Sequence, residues 1–199
     1  MIERGPATTA EMVLAFVAAE IDASRFGPCY EASLARLGTT RARLIDQADL
    51  NDAAANAQRA RMLGDCRGYP SDALFKGFPS DAVWRRAELE PDDLAKVKYA
   101  NYPNWTALSG GTRRVVDGAA NIDLCGDAKL VDRIRAVAAS VRRGHRFPEL
   151  VAVDEAGGNH VLVEGHTRAT AYAIAWPKDG VRVLIGSSVR MSEWCFYPK

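Results

Sequence analysis

Residues 150–175 read LVAVDEAGGNHVLVEGHTRATAYAIA, and this stretch decides the fold that we predict. Leu150 to Val153 is a short apolar strand, Gly157-Gly158 marks a hairpin turn, and His160 to Val163 is the returning strand. The Ala-rich segment from Gly165 to Ala175 then predicts a helix. This order of elements predicts a compact α+β unit.

The residues on either side extend this unit. Apolar side chains recur at helical spacing from Leu130 to Val141, and Gly144 follows where a helix is expected to end. Val181 to Ile185 predicts another strand. We therefore place a small mixed sheet with helices in residues 101–199.

The first hundred residues favour helices. Thr8 and Glu11 have the spacing of a capping box, and the helix that they open is expected to end before Phe26-Gly27. Further helices are expected over residues 30–37, 40–62, 79–86 and 91–99, several of them after a Ser, Asp or Pro start signal. We predict a helical N-terminal region, residues 1–100, that packs on the core as part of one compact domain.

The composition argues against a disordered chain, a general nucleic-acid-coating protein and a membrane-spanning protein. The chain has 199 residues, is 48% hydrophobic and carries a formal net charge of +1. This apolar fraction is too high for a disordered chain. A balanced charge argues against a protein that coats nucleic acid over its whole surface. The apolar run from Met12 to Ala19 is too short for a membrane span, and no signal peptide precedes it, so we expect a cytoplasmic protein.

The four cysteines, Cys29, Cys66, Cys125 and Cys195, are spread through the chain without a C-x-x-C pair. No histidine lies near them at ligand spacing, so no zinc site is predicted. In a chain without a secretion signal, we expect reduced thiols.

The strand-to-helix junction Glu164-Gly165-His166-Thr167-Arg168 carries the main candidate site. A helix N-terminus presents unpaired N–H groups that favour an anion, and phosphate is the expected ligand. Gly165 allows close approach of a ligand, Thr167 offers a hydroxyl, and Arg168 adds positive charge. His166 suits proton transfer near neutral pH, and Glu164 either orients it or acts as a base. The alternative is that Thr167 is an ordinary N-cap and Arg168 a solvated charge.

These elements resemble the ParB-like nuclease/sulfiredoxin superfamily. The resemblance covers about forty residues, Ile134 to Ala173, and rests on a helix ending at Gly144, on Phe147-Pro148, on the hairpin, and on Gly-x-x-Arg at Gly165–Arg168. In partition proteins this turn holds nucleotide phosphates. In sulfiredoxin its second position is a catalytic Cys, which is His166 here, so a sulfinic-acid reductase is not expected.

The closest variant is that of the free-serine kinases, where the motif reads Asp-Gly-His-His-Arg. That resemblance implies that Glu164 is a general base or a metal-proximal carboxylate and that His166 and Arg168 contact phosphate. It also implies a nucleotide donor, so ATP, ADP or CTP, with Mg²⁺, are the candidate cofactors. The second basic residue usual in partition proteins is replaced by Thr167.

A second candidate site precedes the hairpin, in a segment that we expect to be an ordered loop with short strands. Its phosphate-binding candidates are Ser109, Gly110, Gly111, Thr112 and Arg113, and its substrate-contacting candidates are Trp105, Asp117 and Asn121. Gly, hydroxyl, Arg and carboxylate groups in one short segment suit a phosphate or a polar small molecule. The alternative is a turn-rich connection with surface arginines, and a loop that faces Gly165 would favour the binding role.

Residues 129–146 form the one marked basic stretch, with six Lys or Arg against one Asp. A solvated helix face is favoured over a DNA contact surface. We therefore expect an enzyme that binds a nucleotide or small phosphorylated ligand and carries out phosphoryl transfer or phosphate hydrolysis. The alternative is a non-catalytic regulatory module that binds a nucleotide or DNA, the DNA partner being less expected.

Overall fold

The computed structural model describes residues 1–198 and contains one six-stranded mixed sheet in the order β1-β2-β6-β4-β5-β3. Lys199, the last residue of the predicted core, lies outside the described residues. The strands are β1 (Ile2–Ala7), β2 (Val83–Leu89), β3 (Val97–Lys98), β4 (Leu150–Glu155), β5 (Asn159–Glu164) and β6 (Val181–Ser187). The β6/β4 and β5/β3 pairs are parallel and the other pairs are antiparallel.

Helices cover both faces of this sheet. They are α1 (Thr9–Glu20), α2 (Gly27–Leu37), α3 (Ala53–Arg67), α4 (Pro103–Leu108), α5 (Val115–Ala120), α6 (Ala128–Arg142) and α7 (His166–Ile174). Side chains alternate along a strand, so Val151 and Val153 pack with the core of α1 and α3, whereas Leu150 and Ala152 pack with that of α6 and α7. The α+β class is thereby confirmed, with the sheet between two helical layers.

Several predicted elements are confirmed. Thr8 Oγ1 accepts from the N–H of Glu11 at 3.2 Å, and the Glu11 carboxylate accepts from the N–H of Thr8 at 2.8 Å, so the capping box opens α1. The hairpin, α6, α7 and β6 also form where the sequence predicts them. All of these elements are specified by local spacing.

Other predictions are wrong where distant pairing overrides a local signal. The sequence predicts a helix over residues 79–86, but Val83–Leu89 is strand β2, which lies between β1 and β6. Three of the six strands therefore come from the first hundred residues. The long helix over residues 40–62 is instead a π-helical turn at Ala42–Asp46 followed by α3, whose cap is Asp52, a side chain that accepts from the N–H of Ala55 at 2.9 Å.

Two further segments differ from expectation. Residues 91–99 form a 3₁₀ helix, Pro91–Lys96, followed by β3 rather than one helical stretch. The segment before α6 holds the short helices α4 and α5 instead of short strands, because Pro103 suits the first turn of a helix. Within residues 1–198, no helix has both the length and the apolar character to cross a membrane.

The cysteine prediction is wrong for one pair. Cys29 and Cys66 form a disulfide that joins α2 to the end of α3, whereas Cys125 and Cys195 are free. Packing of α2 against α3 brings together two residues that are 37 positions apart, which no local spacing shows. Disulfides persist mainly in oxidising compartments, so a cytoplasmic location stays a prediction.

Candidate functional site

The predicted strand-to-helix turn lies at one end of a large cleft. Strand β5 ends at Glu164, Gly165 has φ +103°, and α7 begins at His166. A Cβ atom at Gly165 would overlap the Leu150 side chain, and the left-handed backbone also disfavours other residues. Glycine is therefore required here for the chain to turn directly from the strand into the helix.

Arg168 holds this turn in place. Its guanidinium is ion-paired with Glu164 and donates to the carbonyl oxygens of Pro148 and Glu149, the second at 3.3 Å. The Arg168 side chain is only 8% exposed, so the alternative of a solvated charge is wrong. Because the group is held by protein partners, Arg168 positions Glu164 and the loop before β4.

His166 lies against aromatic side chains at the start of α7. Its Nε2 accepts a hydrogen bond from the N–H of Ala100 at 3.2 Å, and its ring lies 5.4 Å from Trp105 and 5.5 Å from Tyr102, centre to centre. Burial, with the positive charge of Arg67 and Arg168, lowers the pKa of His166 to about 3. The imidazole is therefore neutral near pH 7, unlike that of a histidine poised for proton transfer at that pH.

The cleft has a volume of about 1110 Å³ and lies between the α1–α2 connection, the end of α3, α6 and the β5–α7 turn. All five residues of the predicted motif line it. Gly165 and not Thr167 is the N-cap of α7, so the alternative in which Thr167 is an ordinary N-cap is wrong, and the Thr167 side chain lines the cleft. The acidic and basic side chains that line the cleft are Glu20, Asp22, Arg25, Arg67, Arg133, His145, Glu164, His166 and Arg168.

Glu20 and Arg67 belong to this site but were not predicted. Glu20 is 6% exposed, accepts a hydrogen bond from the Tyr30 hydroxyl at 2.9 Å, and lies 3.5 Å from Arg67 Nε. Burial raises the pKa of Glu20 to about 7, against the opposing effect of Arg67. The sequence carries one signal for it, since Glu20 follows Phe16 and Val17 on the apolar stripe of α1. An acidic residue on a buried stripe needs a partner.

The second predicted site is divided by the structure. Trp105 lines the cleft beside His166. Ser109, in contrast, accepts from the N–H of Arg113 at 2.8 Å, and Thr112 Oγ1 donates to the Asp117 carboxylate at 2.5 Å. These hydroxyls close the loop on itself. The cleft lining within residues 1–198 does not include Ser109, Gly110, Gly111, Thr112, Arg113, Asp117 or Asn121.

Arg113 is directed towards the opposite end of the sheet. Its guanidinium lies 4.0 Å from one carboxylate oxygen of Glu155, whose other oxygen lies 2.6 Å from Lys98 Nζ. Glu155 is at the hairpin end of β4, whereas Glu164 is at the far end of β5, roughly 15–20 Å away along the strand. The loop therefore does not face Gly165. The structure thus gives no support to a ligand-binding role of Ser109 to Arg113 at the cleft.

The basic stretch follows the solvent-exposed side of α6. Ile134 and Val141 are buried, while Arg135 pairs with Asp123 and Arg146 pairs with Asp179. These ion pairs offset part of the positive charge. Arg133 is the one arginine of this stretch that lines the cleft.

A scan against known protein families, and searches of curated proteins and of solved structures, find no match for this chain.

Proposed function

We propose that the cleft at the start of α7 binds a nucleotide or another small phosphorylated molecule. We further propose that the protein transfers a phosphoryl group to a small polar substrate or removes phosphate from one. The observation that carries the proposal is the set of arginines that line the cleft at the N-terminus of α7, with three carboxylates, Glu20, Asp22 and Glu164, in the same cleft.

The cleft supplies positive charge in several forms. Arg25 and Arg133 are exposed and form no ion pair with another of residues 1–198, and Arg25 lies over the Phe26 ring at the cleft wall, so both can reach a ligand. The start of α7 adds unpaired N–H groups, and Thr167 adds a hydroxyl. Phosphoryl transfer depends mainly on positioning and on stabilisation of negative charge, which such groups provide.

The size and the walls of the cleft suit a nucleotide. A volume of about 1110 Å³ is slightly above the range of roughly 300–1,000 Å³ that is usual for small-molecule sites, so the cleft has room for a nucleotide. Tyr102 and Phe147 line it and offer aromatic surface to a base. ATP, ADP and CTP are the proposed ligands, and Mg²⁺ would be bound chiefly by their phosphates, as is usual for this ion.

Two residues of the motif take distinct roles in this proposal. Glu164 is the proposed proton acceptor for a substrate hydroxyl or a water molecule, and its ion pair with Arg168 fixes its direction. His166 is a positioning residue, because its Nε2 already accepts from Ala100 and its ring forms part of the cleft wall.

Isothermal titration calorimetry with ATP, ADP and CTP, each with and without Mg²⁺, tests binding. We expect heat from at least one nucleotide and weaker binding in Arg25→Ala and Arg133→Ala. Arg142→Ala is the matched control, since Arg142 is an exposed arginine of α6 outside the cleft, and it should bind as the unaltered chain does. Absence of heat with every nucleotide would overturn the nucleotide proposal.

Catalysis is tested separately by ³¹P nuclear magnetic resonance. The bound nucleotide is incubated with the protein alone and then with free serine, the acceptor that the kinase resemblance makes the first to test. A new phosphate ester identifies transfer, and inorganic phosphate without an acceptor identifies hydrolysis. Glu164→Gln should abolish either product while the nucleotide still binds. Binding without any turnover would favour the regulatory alternative.

A further inference from the structure

We propose that Arg67 is an anion-binding residue of this cleft and that uptake of a proton by Glu20 makes it available. The ligand group is a dianionic oxyanion, such as the terminal phosphate of a phosphomonoester or a nucleotide. This inference rests on the proposed function, because both residues line the cleft that is assigned there to a phosphorylated ligand.

The flat faces of the Arg67 guanidinium pack on aromatic rings, and the Tyr102 hydroxyl is a hydrogen-bonding neighbour at its edge. The guanidinium carbon lies 4.1 Å from the ring centre of Phe26 and 5.8 Å from that of Phe16. These cation–π contacts fix the plane of the group and leave its N–H donors at the edges. The Arg67 side chain is 15% exposed, and its Nε is buried without a hydrogen-bond partner among residues 1–198.

Glu20 compensates the charge of Arg67 only in part. The distance of 3.5 Å from Arg67 Nε to Glu20 Oε1 is that of a loose ion pair, whereas the Tyr30 hydroxyl donates to Glu20 Oε2 at 2.9 Å. Glu20 therefore has a firm partner other than Arg67. A guanidinium has five donors, so Arg67 keeps donors for a ligand oxygen.

The protonation of Glu20 sets how much positive charge Arg67 presents. Burial raises the pKa of Glu20 to about 7, so its carboxyl group is mostly neutral at pH 6 and mostly ionised at pH 8. When it is neutral, the charge of Arg67 attracts an anion; when it is ionised, its carboxylate competes with that anion. The charged and titratable groups around this pair from the neighbouring elements are Tyr30, Tyr102, Glu164, His166 and Arg168.

Inorganic sulfate is the test probe, because it stays dianionic over this pH range and so adds no titration of its own. Its affinity for the full chain is measured by calorimetry at pH 6 and pH 8 at constant ionic strength. If only the protonated form binds, affinity should be about tenfold lower at pH 8. Glu20→Gln keeps an acceptor for Tyr30 and cannot ionise, so it should bind at pH 8 as tightly as the unaltered chain does at pH 6.

Arg67→Met keeps an apolar side chain between the two rings and removes the charge, so it should lose sulfate binding at both pH values. Arg61→Met is the matched control, since Arg61 is an exposed arginine of the same helix, and it should behave as the unaltered chain. His145→Gln should retain the pH dependence. If Arg67→Met fails to fold, as judged by circular dichroism, the sulfate affinities of Glu20→Gln and of the unaltered chain at pH 8 still test the inference.

The outcomes separate this inference from the proposed function. Equal sulfate affinity at both pH values, with Glu20→Gln unchanged, would overturn the inference while nucleotide binding stands. Sulfate binding that persists in a folded Arg67→Met variant would likewise overturn the inference and leave the nucleotide proposal standing. A chain that binds neither sulfate nor any nucleotide at either pH would overturn both.

Discussion

The backbone N–H of Ala100 donates a hydrogen bond to Nε2 of His166, over 3.2 Å. This bond requires the neutral imidazole to carry its proton on Nδ1. It also links the segment after β3 to the start of α7, and so connects the two halves of the chain at the cleft.

We therefore predict that His166 stays neutral from pH 5 to pH 8, since its pKa is lowered to about 3. Its ¹⁵N resonances should show a non-protonated Nε2 and should not move over this range. His166→Gln identifies the signals by their loss. A titration with a midpoint near 6.5 would contradict the prediction.

Gly165→Ala should destabilise the protein by about 1–3 kcal/mol, because the new methyl group meets Leu150 and the backbone is left-handed. The free energy of unfolding in urea measures the effect. Gly158→Ala is the control: its φ is +75° but no atom lies within 4 Å of the added Cβ. A loss at Gly165 no larger than at Gly158 would show that the Leu150 contact is unimportant.

Arg168→Met should lower the free energy of unfolding by about 2–4 kcal/mol, because it leaves the partly buried Glu164 carboxylate without its partner. Arg135→Met removes an ion pair with Asp123 whose side chains are 59% and 76% exposed, and should cost under about 1 kcal/mol. Urea unfolding of both variants makes the comparison. Equal losses would contradict the positioning role of Arg168.

Stability should depend on pH through Glu20. Its pKa is raised from 4.5 to about 7 by burial, so between these values the folded chain holds a proton that the unfolded chain has released. The resulting stabilisation is full below pH 4.5 and is lost as the pH rises through 7, a change on the order of 3 kcal/mol.

The measurement is the difference in free energy of unfolding between Glu20→Gln and the unaltered chain at pH 5 and at pH 8. The variant should gain relative stability at pH 8, because it cannot ionise. A difference that does not change with pH would show that Glu20 titrates alike in the folded and unfolded chains.

Replacing Cys29 and Cys66 together by Ser should lower the free energy of unfolding by about 3–4 kcal/mol, because the disulfide closes a loop of 37 residues. A thiol reductant should bring the unaltered chain to the stability of this variant. Cys195→Ser, at an exposed free cysteine, should have no effect. Insensitivity of the unaltered chain to reductant would contradict the disulfide.

Elements fixed by residues close together in the chain could be predicted from the sequence, and elements fixed by distant pairing could not. The hairpin could be predicted because Gly157-Gly158 and the strands beside it are adjacent in the chain. The sequence does not predict strand β2, because Pro79-Ser-Asp resembles a helix start, whereas Trp84 pairs with Gly186, about a hundred residues further along the chain. Local propensity is a weak guide where such distant pairing decides.

The same reasoning applies to the site. The turn from Glu164 to Arg168 is local, so the sequence predicts it. That Arg168 is buried and ion-paired with Glu164, and not solvated, is visible only in the folded structure. The pair of Glu20 and Arg67 requires α1 and α3 to pack together, so spacing in the sequence does not reveal it.

The position of β6 between β2 and β4 has a consequence for the nascent chain. At a ribosomal rate of about 5–20 residues per second, β2 waits roughly 5–20 seconds before its partner β6 is synthesised. During that time β2 has only β1 to pair with, so the apolar side chains of β2, among them Trp84 and Leu89, lack the rest of the sheet and its cores. Phe196, which lines the cleft, emerges later still. We expect the newly made protein to need protection from aggregation, and the cleft to be among the last features to form.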